Sequence, residues 1–159
     1  MVKVYIKKVR DNVNLPKRMT DLSGGWDIEA CRIIQESPNY VRVLTGLEMQ
    51  PEKGYKIMLY ARSNITKYNW YLANCVGLGD ADYANEYELR FRAVPVIKTI
   101  QIGGQLVDTV SYDPFPYFEG ERVGQMTVEV VNELEFEEVE VLPNITNRTG
   151  GFDSTKNIG

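Results

Sequence analysis

Apolar and polar residues alternate along most of the chain, and this period of two is typical of β-strands that have one buried face. The alternating segments are also rich in β-branched and aromatic residues, which strands favour. They predict seven strands, at residues 2–6, 40–44, 55–60, 87–94, 96–102, 126–131 and 136–142. Turn-forming pairs such as Gly103-Gly104 and Asp113-Pro114 separate these segments.

Helical patterning is scarce by comparison. It is confined to residues 64–68 and to a single turn near residues 81–84. Many short strands, with turns about every ten residues, predict an all-β sandwich, barrel or jelly roll. We expect one domain over residues 1–142, in which residues 96–113 form an inserted or extended hairpin that turns at Gly103-Gly104. Residues 143–159 carry few apolar anchors and are expected to form a C-terminal arm.

Composition narrows the chemistry that such a fold can perform. The 159 residues carry a net charge of −4, so no overall basic field attracts nucleic acid. The chain has no histidine, which excludes Ser-His-Asp and Cys-His catalytic groups and histidine metal ligands. A catalytic acid or base must therefore be Asp, Glu, Lys, Tyr or Cys. Cys31 and Cys75 form no CxxC motif and are expected to be buried or half-buried thiols.

Three segments carry residue types suited to a phosphorylated ligand. Arg62-Ser63 joins a predicted strand to a helix, where a guanidinium, a hydroxyl and backbone N–H groups favour phosphate. Asp80 and Asp82 stand on alternate residues and can orient water or act as a base. In the tail, Gly150-Gly151 permits close approach to phosphate, and Phe152 is suited to stacking on a base. The plainer interpretations are a capping serine, an aspartate-rich turn and a disordered tail.

Five motifs in order resemble those of the trimeric dUTPase family, and the resemblance runs through nearly the whole chain. They are residues 24–30 (GGWDIEA), 62–64 (RSN), 77–86 (GLGDADYANE), 120–126 (GERVGQM) and 148–156 (RTGGFDSTK). Any one motif is a weak signal, but five in the right order are specific. The resemblance implies a distorted jelly roll or β-barrel (the β-clip) with one short helix and a C-terminal arm. It also implies a homotrimer with shared active sites.

The resemblance further implies an activity, the hydrolysis of dUTP to dUMP and pyrophosphate. In the family's mechanism, an Asp-activated water attacks the α-phosphorus and pyrophosphate leaves. Mg²⁺ bound by the three phosphates and by water neutralises charge and orients the polyphosphate. No direct protein ligand to the metal is expected, because the metal is carried by the substrate.

Individual residues acquire roles from the same resemblance. Asp80 matches the base that takes a proton from the attacking water, and Tyr83 matches the aromatic that packs under the deoxyribose and rejects a 2′-hydroxyl. Asp27 and Asp82 are expected to support the site without touching the reacting atoms.

The other expected contacts divide between the base and the phosphates. The uracil edge matches Asn74 and the backbone through Val76 and Gly79. Arg62, Ser63 and Gln125 match the phosphate contacts, and Asn64 is counted with the substrate-binding residues. The arm is expected to close over the nucleotide of an adjacent subunit through four residues, Phe152 over the base and Arg148, Ser154 and Thr155 near the phosphates.

The sequence departs from the family pattern at points that leave alternatives open. Gly79 replaces a branched residue and is expected to loosen the strand that holds Asp80. In the arm, Arg148 lies one residue closer to the glycine pair, and Asp153 replaces a glycine beside the expected polyphosphate. A dUTPase-fold nucleotide-binding or regulatory protein with weak catalysis is therefore an alternative. A dCTP deaminase-like enzyme and a generic β-sandwich interaction module are two more.

Location and partners follow from the same observations. Because the sequence has no apolar run of membrane-spanning length and no signal-peptide pattern, we expect a cytoplasmic protein. The divergence from the family pattern is consistent with a virus- or phage-encoded protein that acts in the host cell. The expected partners are dUTP and other copies of the chain, with neither nucleic acid nor membrane among them.

Overall fold

Strands make up nearly all the regular structure of the protein, whose computed structural model describes residues 1–143. In this part of the chain the elements are β1 Val4–Lys8, β2 Trp26–Glu29, β3 Arg32–Ser37, β4 Tyr40–Pro51, β5 Tyr55–Ala61, a 3₁₀ helix Ser63–Lys67, β6 Trp70–Leu72, β7 Val76–Gly79, β8 Glu86–Ala93, β9 Val96–Ile102, β10 Gln105–Ser111 and β11 Arg122–Val130. The all-β class and the one short helix are confirmed. Six of the seven predicted strands are present, with ends shifted by up to seven residues.

Two antiparallel sheets form the body of the protein. The first has the order β1-β4-β8-β6, and β3 also pairs with the long strand β4. The second has the order β2-β11-β5-β7, so β7 is an edge strand. This double-sheet architecture agrees with the predicted jelly roll.

The core lies between the inner faces of these sheets and follows the predicted alternation. Along β8, for example, Tyr87, Leu89, Phe91 and Ala93 are buried, whereas the residues between them are exposed or half-buried. One buried cluster contains Phe91 and Trp70, and the other contains Tyr87. Since successive strand residues point to opposite faces, the period-two sequence pattern accounts for this division.

A bulge in β4 lies opposite residues 86–88 of β8. Leu44 pairs with Glu88 and Glu48 pairs with Glu86, so β4 advances by four residues where β8 advances by two. The extra residues leave the Tyr87 carbonyl without a ladder partner on β4, and the buried Thr45 hydroxyl donates to it at 2.7 Å. A side chain replaces the missing backbone donor, as buried carbonyl groups require.

Strands β9 and β10 form a hairpin in the region where one was predicted. Ile102 pairs with Gln105, and the turn between them has positive φ at Gly103 (58°) and Gly104 (83°). Two positive φ angles define a type I′ turn, which matches the twist of antiparallel strands. Most of the hairpin's side chains are exposed. Whether the hairpin is an insertion relative to the family stays a prediction.

The strand predicted at residues 136–142 is wrong for the chain on its own. Residues 132–143 lie outside every strand of the described chain, and all of them are exposed. A strand requires a partner for its backbone groups, and hydrophobic alternation cannot say whether one is available. The arm residues 144–159 lie outside the described part. Within residues 1–143, none of the helical structure is long and apolar enough to cross a membrane.

Candidate active site

A buried carboxylate organises one group of the predicted site residues. Asp27 on β2 is 6% exposed and lies opposite Gln125 on β11. Gln125 Nε2 donates to Asp27 Oδ1 at 2.8 Å, and Arg122 Nη1 donates to Asp27 Oδ2 at 3.0 Å. Arg62 Nε lies 3.8 Å from the same Oδ2 atom. A carboxylate removed from water needs such partners, so Asp27 fixes the orientation of the three side chains around it.

The end of β5 delivers Arg62 to this group. Its backbone is extended, and its Nη1 atom also donates to the Arg122 carbonyl at 3.1 Å. Arg62 itself is the N-cap of the 3₁₀ helix, and within the described chain no side chain caps this helix. Ser63 is therefore not the capping serine of the plainer interpretation. It is the exposed first residue of the helix, beside Arg62.

Arg62 and Arg122 line a cavity of about 340 Å³, a size typical of small-molecule sites. The Tyr117 hydroxyl donates to Asn64 Oδ1 at 2.7 Å in its wall, so the amide nitrogen of Asn64 is the atom left for a ligand. Burial raises the pKa of Tyr117 above its ordinary value of 10.0, at which the hydroxyl is already a donor at neutral pH. The other lining residues are Glu29, Tyr68, Pro116, Gly120 and Glu121. The two guanidinium groups can bind an anionic ligand, and the carboxylates of Glu29 and Glu121 balance their charge in the same lining.

A second group of predicted residues lies along β7 and the turn after it. Asn74, Val76 and Asp80 are exposed, whereas Gly79 is buried. Since β7 is the edge of its sheet, one row of its backbone N–H and C=O groups faces away from β5. Such a row can pair with the edge of a heterocyclic base, which is the role predicted for this segment. Cys75, expected to be buried or half-buried, is instead exposed at the preceding turn with φ 60°.

Short-range contacts hold the residues of the turn that starts at Asp80. The Tyr83 N–H donates to the Asp80 carbonyl at 3.1 Å, so the predicted turn at residues 81–84 is a hydrogen-bonded turn that starts at Asp80. The Tyr83 ring packs edge-on against Tyr87, with centroids 5.1 Å apart. Asp82 is exposed in the same turn. The carboxylate of Asp80 is thus presented to solvent on a short, tied loop.

Packing fills the place of the missing side chain at Gly79, and the expected loosening of this strand stays a prediction. A Cβ atom at Gly79 would overlap the Tyr87 hydroxyl and lie 2.5 Å from Tyr87 Cε1, so the tyrosine ring occupies the space that a side chain would take. Gly79 also stays paired with Ile57. The Tyr87 ring, rather than a side chain at position 79, packs against this part of β7.

The pairing of β5 with β7 places Val76 near the Arg62 end of β5 and Asp80 toward the other end, so Asp80 and Arg62 are not brought together within one chain. Gly79 pairs with Ile57, whereas Arg62 follows Ile57 by five residues. At ~3.4 Å per strand residue, their levels along the sheet differ by ~17 Å. Asp80 directly follows Gly79, so it cannot reach a ligand atom held next to Arg62 in the same chain. Of the predicted arm contacts, Arg148, Phe152, Ser154 and Thr155 lie outside the described residues.

Sequence reasoning assigned no role to three residues that hold the site. Arg122 stands inside the fourth motif, and its contact with Asp27 could be inferred only from the need of a buried carboxylate for a cation. Tyr117 and Tyr87 lie outside the five motifs. Their positions depend on packing between sheets, for which a single sequence gives no direct signal.

The fold and this geometry define a jelly-roll protein with an arginine-lined cavity and a carboxylate turn on an edge strand. No family model matches the chain. A deoxyuridine 5′-triphosphate nucleotidohydrolase of Finegoldia magna is 30% identical over 150 residues, covering 92% of this chain and 94% of that enzyme. The Fusobacterium nucleatum enzyme of the same name is 29% identical over 160 residues, covering 98% and 99%. The chain belongs to the dUTPase family, which confirms the predicted family and enzyme class.

Solved structures agree with this assignment at the level of the fold. The dUTPase of Staphylococcus bacteriophage 80alpha with dUpNHpp aligns with a TM-score of 0.74 at 18% identity, covering 96% of this chain and 98% of that one. The dUTPase from phage phi11 of S. aureus, whose structure was described for its species-specific insert, aligns with a TM-score of 0.66 at 18% identity, covering 88% and 97%.

Proposed function

We propose that the protein hydrolyses dUTP to dUMP and pyrophosphate in active sites shared between the copies of a homotrimer. The observation that carries the proposal is the separation of the Asp80 turn from Arg62 by ~17 Å along β5. The Asp80 turn has the chemistry for proton transfer and the Arg62 cavity has the chemistry for phosphate binding, and Asp80 does not reach Arg62 within a chain. A site that joins the Asp80 turn of one copy to the Arg62 cavity of the next uses both.

The reaction step rests on Asp80. Its exposed carboxylate accepts a proton from a water molecule, and the water oxygen attacks the α-phosphorus. The bond from the α-phosphorus to the bridging oxygen breaks, and pyrophosphate leaves. With no histidine in the chain, a carboxylate is the appropriate base for this step.

The phosphates are assigned to the Arg62 cavity. Arg62 and Arg122 line the cavity and supply positive charge. Ser63 and Gln125 lie outside its lining and are assigned as neutral donors, Ser63 next to Arg62 in the chain and Gln125 through their shared contact with Asp27. Asp27 keeps the two arginines and the glutamine fixed before the ligand arrives, so little ordering is required on binding. The amide nitrogen of Asn64 is a further donor in the cavity wall.

A magnesium ion fits this cavity when it is bound to the phosphates of the substrate. Among residues 1–143 no cluster of three or more His, Cys, Asp and Glu side chains could bind a metal alone. The cavity nevertheless combines the carboxylates of Glu29 and Glu121 with two arginines, a mixture suited to a phosphate chain that carries a hard cation. When bound, the ion supplies charge neutralisation and orientation of the phosphates. A mutant of the phi11 dUTPase was described with a structural Mg(II) ion.

Base and sugar are assigned to the β7 edge. Asn74 and the backbone from Val76 to Gly79 pair with uracil, and an amino group at position 4 would meet the wrong partner there. The Tyr83 ring packs under the deoxyribose and leaves no room for a 2′-hydroxyl. Asp82 supports the turn that carries Asp80 and Tyr83.

Two further surfaces support assembly with other copies. Residues 132–143 are all exposed, including Leu134, Phe136 and Leu142, although their sequence alternates like a strand. An apolar groove of about 370 Å³ is lined by Val2, Val4, Ile6, Leu15, Pro16, Trp26, Met126 and Val128. An exposed apolar segment and an exposed apolar groove on one chain are complementary, and contact between copies would bury both.

The remaining assignments are part of the same proposal. Arg148, Phe152, Ser154 and Thr155 close the arm over a neighbouring nucleotide, and the protein acts in the cytoplasm, as a phage or viral enzyme would in its host cell.

The test is pyrophosphate release from dUTP, dTTP, UTP and dCTP, with and without Mg²⁺. We expect rapid release from dUTP with Mg²⁺ and much slower release in every other case. Binding of dUTP without turnover would favour the alternative of a dUTPase-fold regulatory protein. Ammonia produced from dCTP would favour the deaminase-like alternative. Either outcome would contradict the proposal.

A further inference from the structure

Tyr87 is a buried polar side chain that the proposed reaction does not use. It is 4% exposed on β8, and within the described chain its hydroxyl has no hydrogen-bond partner. Burial raises the pKa of Tyr87 to about 12, so the hydroxyl stays neutral at any physiological pH. Leaving such a group unpaired costs free energy, and a phenylalanine would avoid that cost.

The backbone of Tyr87 is fixed by the bulge in β4. The Thr45 hydroxyl donates to the Tyr87 carbonyl, and the same hydroxyl oxygen accepts the Leu47 N–H at 3.2 Å. The neighbouring carboxylate of Glu86 accepts the Gly46 N–H at 2.8 Å. Tyr87 is therefore attached to a rigid part of the first sheet.

The ring of Tyr87 reaches from the first sheet to the underside of β7. It fills the space beside Gly79 in which any other residue would place its Cβ atom. The absence of a side chain at Gly79 and the large side chain at Tyr87 are thus complementary. A side chain at position 79 would clash with the Tyr87 ring, and a smaller side chain at position 87 would leave a cavity beside Gly79.

The same ring is the main support of Tyr83. The two rings meet edge-on, at an interplanar angle of 84° and a centroid distance of 5.1 Å. Tyr83 is otherwise 39% exposed, and its hydroxyl reaches only a long hydrogen bond of 3.4 Å to the Glu86 carbonyl. The position of the Tyr83 ring therefore depends on Tyr87.

We propose that Tyr87, seated against Gly79, is a positioning residue that sets the discrimination between deoxyribose and ribose by holding the Tyr83 ring in place. The inference rests on the proposed role of Tyr83 under the sugar. An extra hydroxyl is rejected only by a wall that does not yield, and a displacement of about 1 Å is enough to admit it. Tyr87 makes that wall rigid without touching the nucleotide.

The first test compares Tyr87→Leu, Tyr87→Phe and the control Phe91→Leu. Phe91 is a fully buried aromatic on the same strand and the same face, but belongs to the other core cluster. The readout is the ratio of kcat/KM for dUTP to that for UTP, beside the thermal midpoint. We expect Tyr87→Leu to reduce the ratio roughly tenfold or more. Tyr87→Phe keeps the ring and should keep the ratio, and Phe91→Leu should lower the midpoint with the ratio unchanged.

A second comparison separates support of Tyr83 from simple filling of space. Gly79→Ala should displace the Tyr87 ring and lower both the midpoint and the ratio. Adding Tyr87→Leu to Gly79→Ala removes the clash, so the midpoint should recover while the ratio stays low. Recovery of the ratio together with the midpoint would overturn the inference, as would an unchanged ratio in folded Tyr87→Leu.

Binding measurements keep this test independent of turnover. Calorimetric affinities for dUpNHpp and its ribose counterpart give the same discrimination without hydrolysis. A wild-type protein that prefers dUpNHpp but hydrolyses no dUTP would contradict the proposed function and still allow the Tyr87 comparison. A wild-type protein that binds the two analogues equally would overturn the inference itself.

Discussion

At the scale of single residues, the sequence singled out residues that the fold brings together, but it did not single out the residues that support them. Asp27, Arg62 and Gln125 stand in separate motifs, and the fold brings all three together. Their mutual contacts could be expected from the cost of burying an unpaired carboxylate. Tyr87 could not be predicted as a partner of Gly79, because that contact joins two sheets and leaves no periodic signal in the sequence.

Asp80→Asn tests the assignment of the base. Because Asp80 is exposed, we expect unchanged thermal stability and nearly unchanged affinity for dUpNHpp. Turnover should fall by a factor on the order of 10²–10⁴, since the amide cannot accept the proton from water. Pyrophosphate release and calorimetry on the same preparation measure both quantities. Wild-type turnover in this variant would rule out Asp80 as the base.

Glu86→Gln tests an ion pair that anchors the far end of the Asp80 turn. Hydrogen bonds from Arg10, at 2.8 and 2.7 Å, lower the pKa of Glu86 below its ordinary value of 4.5. A lowered folded-state pKa means that this stabilisation is complete above pH ~4.5 and is lost as the pH falls through the folded-state pKa. At neutral pH we expect the variant to be less stable by about 1–3 kcal/mol.

The measurement for Glu86 is urea unfolding from pH 7 down to pH 3 at fixed protein concentration. The difference between wild type and Glu86→Gln should narrow below pH ~4.5, because the wild-type carboxylate is then protonated as well. A difference that stays constant over this range would show that the ion pair with Arg10 is not its source.

At the scale of elements, hydrophobic alternation was sufficient where a strand finds its partner within the chain. It predicted β8 and β9 almost to the residue, and Gly103-Gly104 predicted the turn of the β9–β10 hairpin. It failed at residues 136–142, where the pattern is that of a strand and the described chain offers no partner. Alternation reports a preference of the backbone, whereas pairing depends on which surfaces meet.

Two truncations separate the roles of the C-terminal segments. Ending the chain after Thr146 should greatly reduce dUTP turnover while the proposed trimer persists, because the arm that is proposed to close the site is lost. Ending it after Val131 should also dissociate the trimer, because the exposed apolar segment at residues 132–143 is removed. Light scattering and pyrophosphate release on both variants distinguish these effects. Full activity in the shorter chain would contradict both assignments.

At the scale of the whole molecule, the register of the second sheet is the basis of the proposed assembly between copies. The pairing of β5 with β7 places Asp80 and Arg62 at opposite ends of one strand. Five ordered motifs identified the family from the sequence, but they could not show that the motifs form two groups. That division appears only once the strand register is known.

Mixed trimers of Asp80→Asn and Arg62→Ala chains test this division most directly. Each variant alone should be nearly inactive. In trimers from co-expression of equal amounts, a site that takes Asp80 from one copy and Arg62 from another is intact in about a quarter of cases, one half multiplied by one half. We therefore expect up to about a quarter of wild-type pyrophosphate release from the mixture. If the mixture is no more active than the separate variants, both groups must serve one site within a single chain, and the shared-site account is wrong.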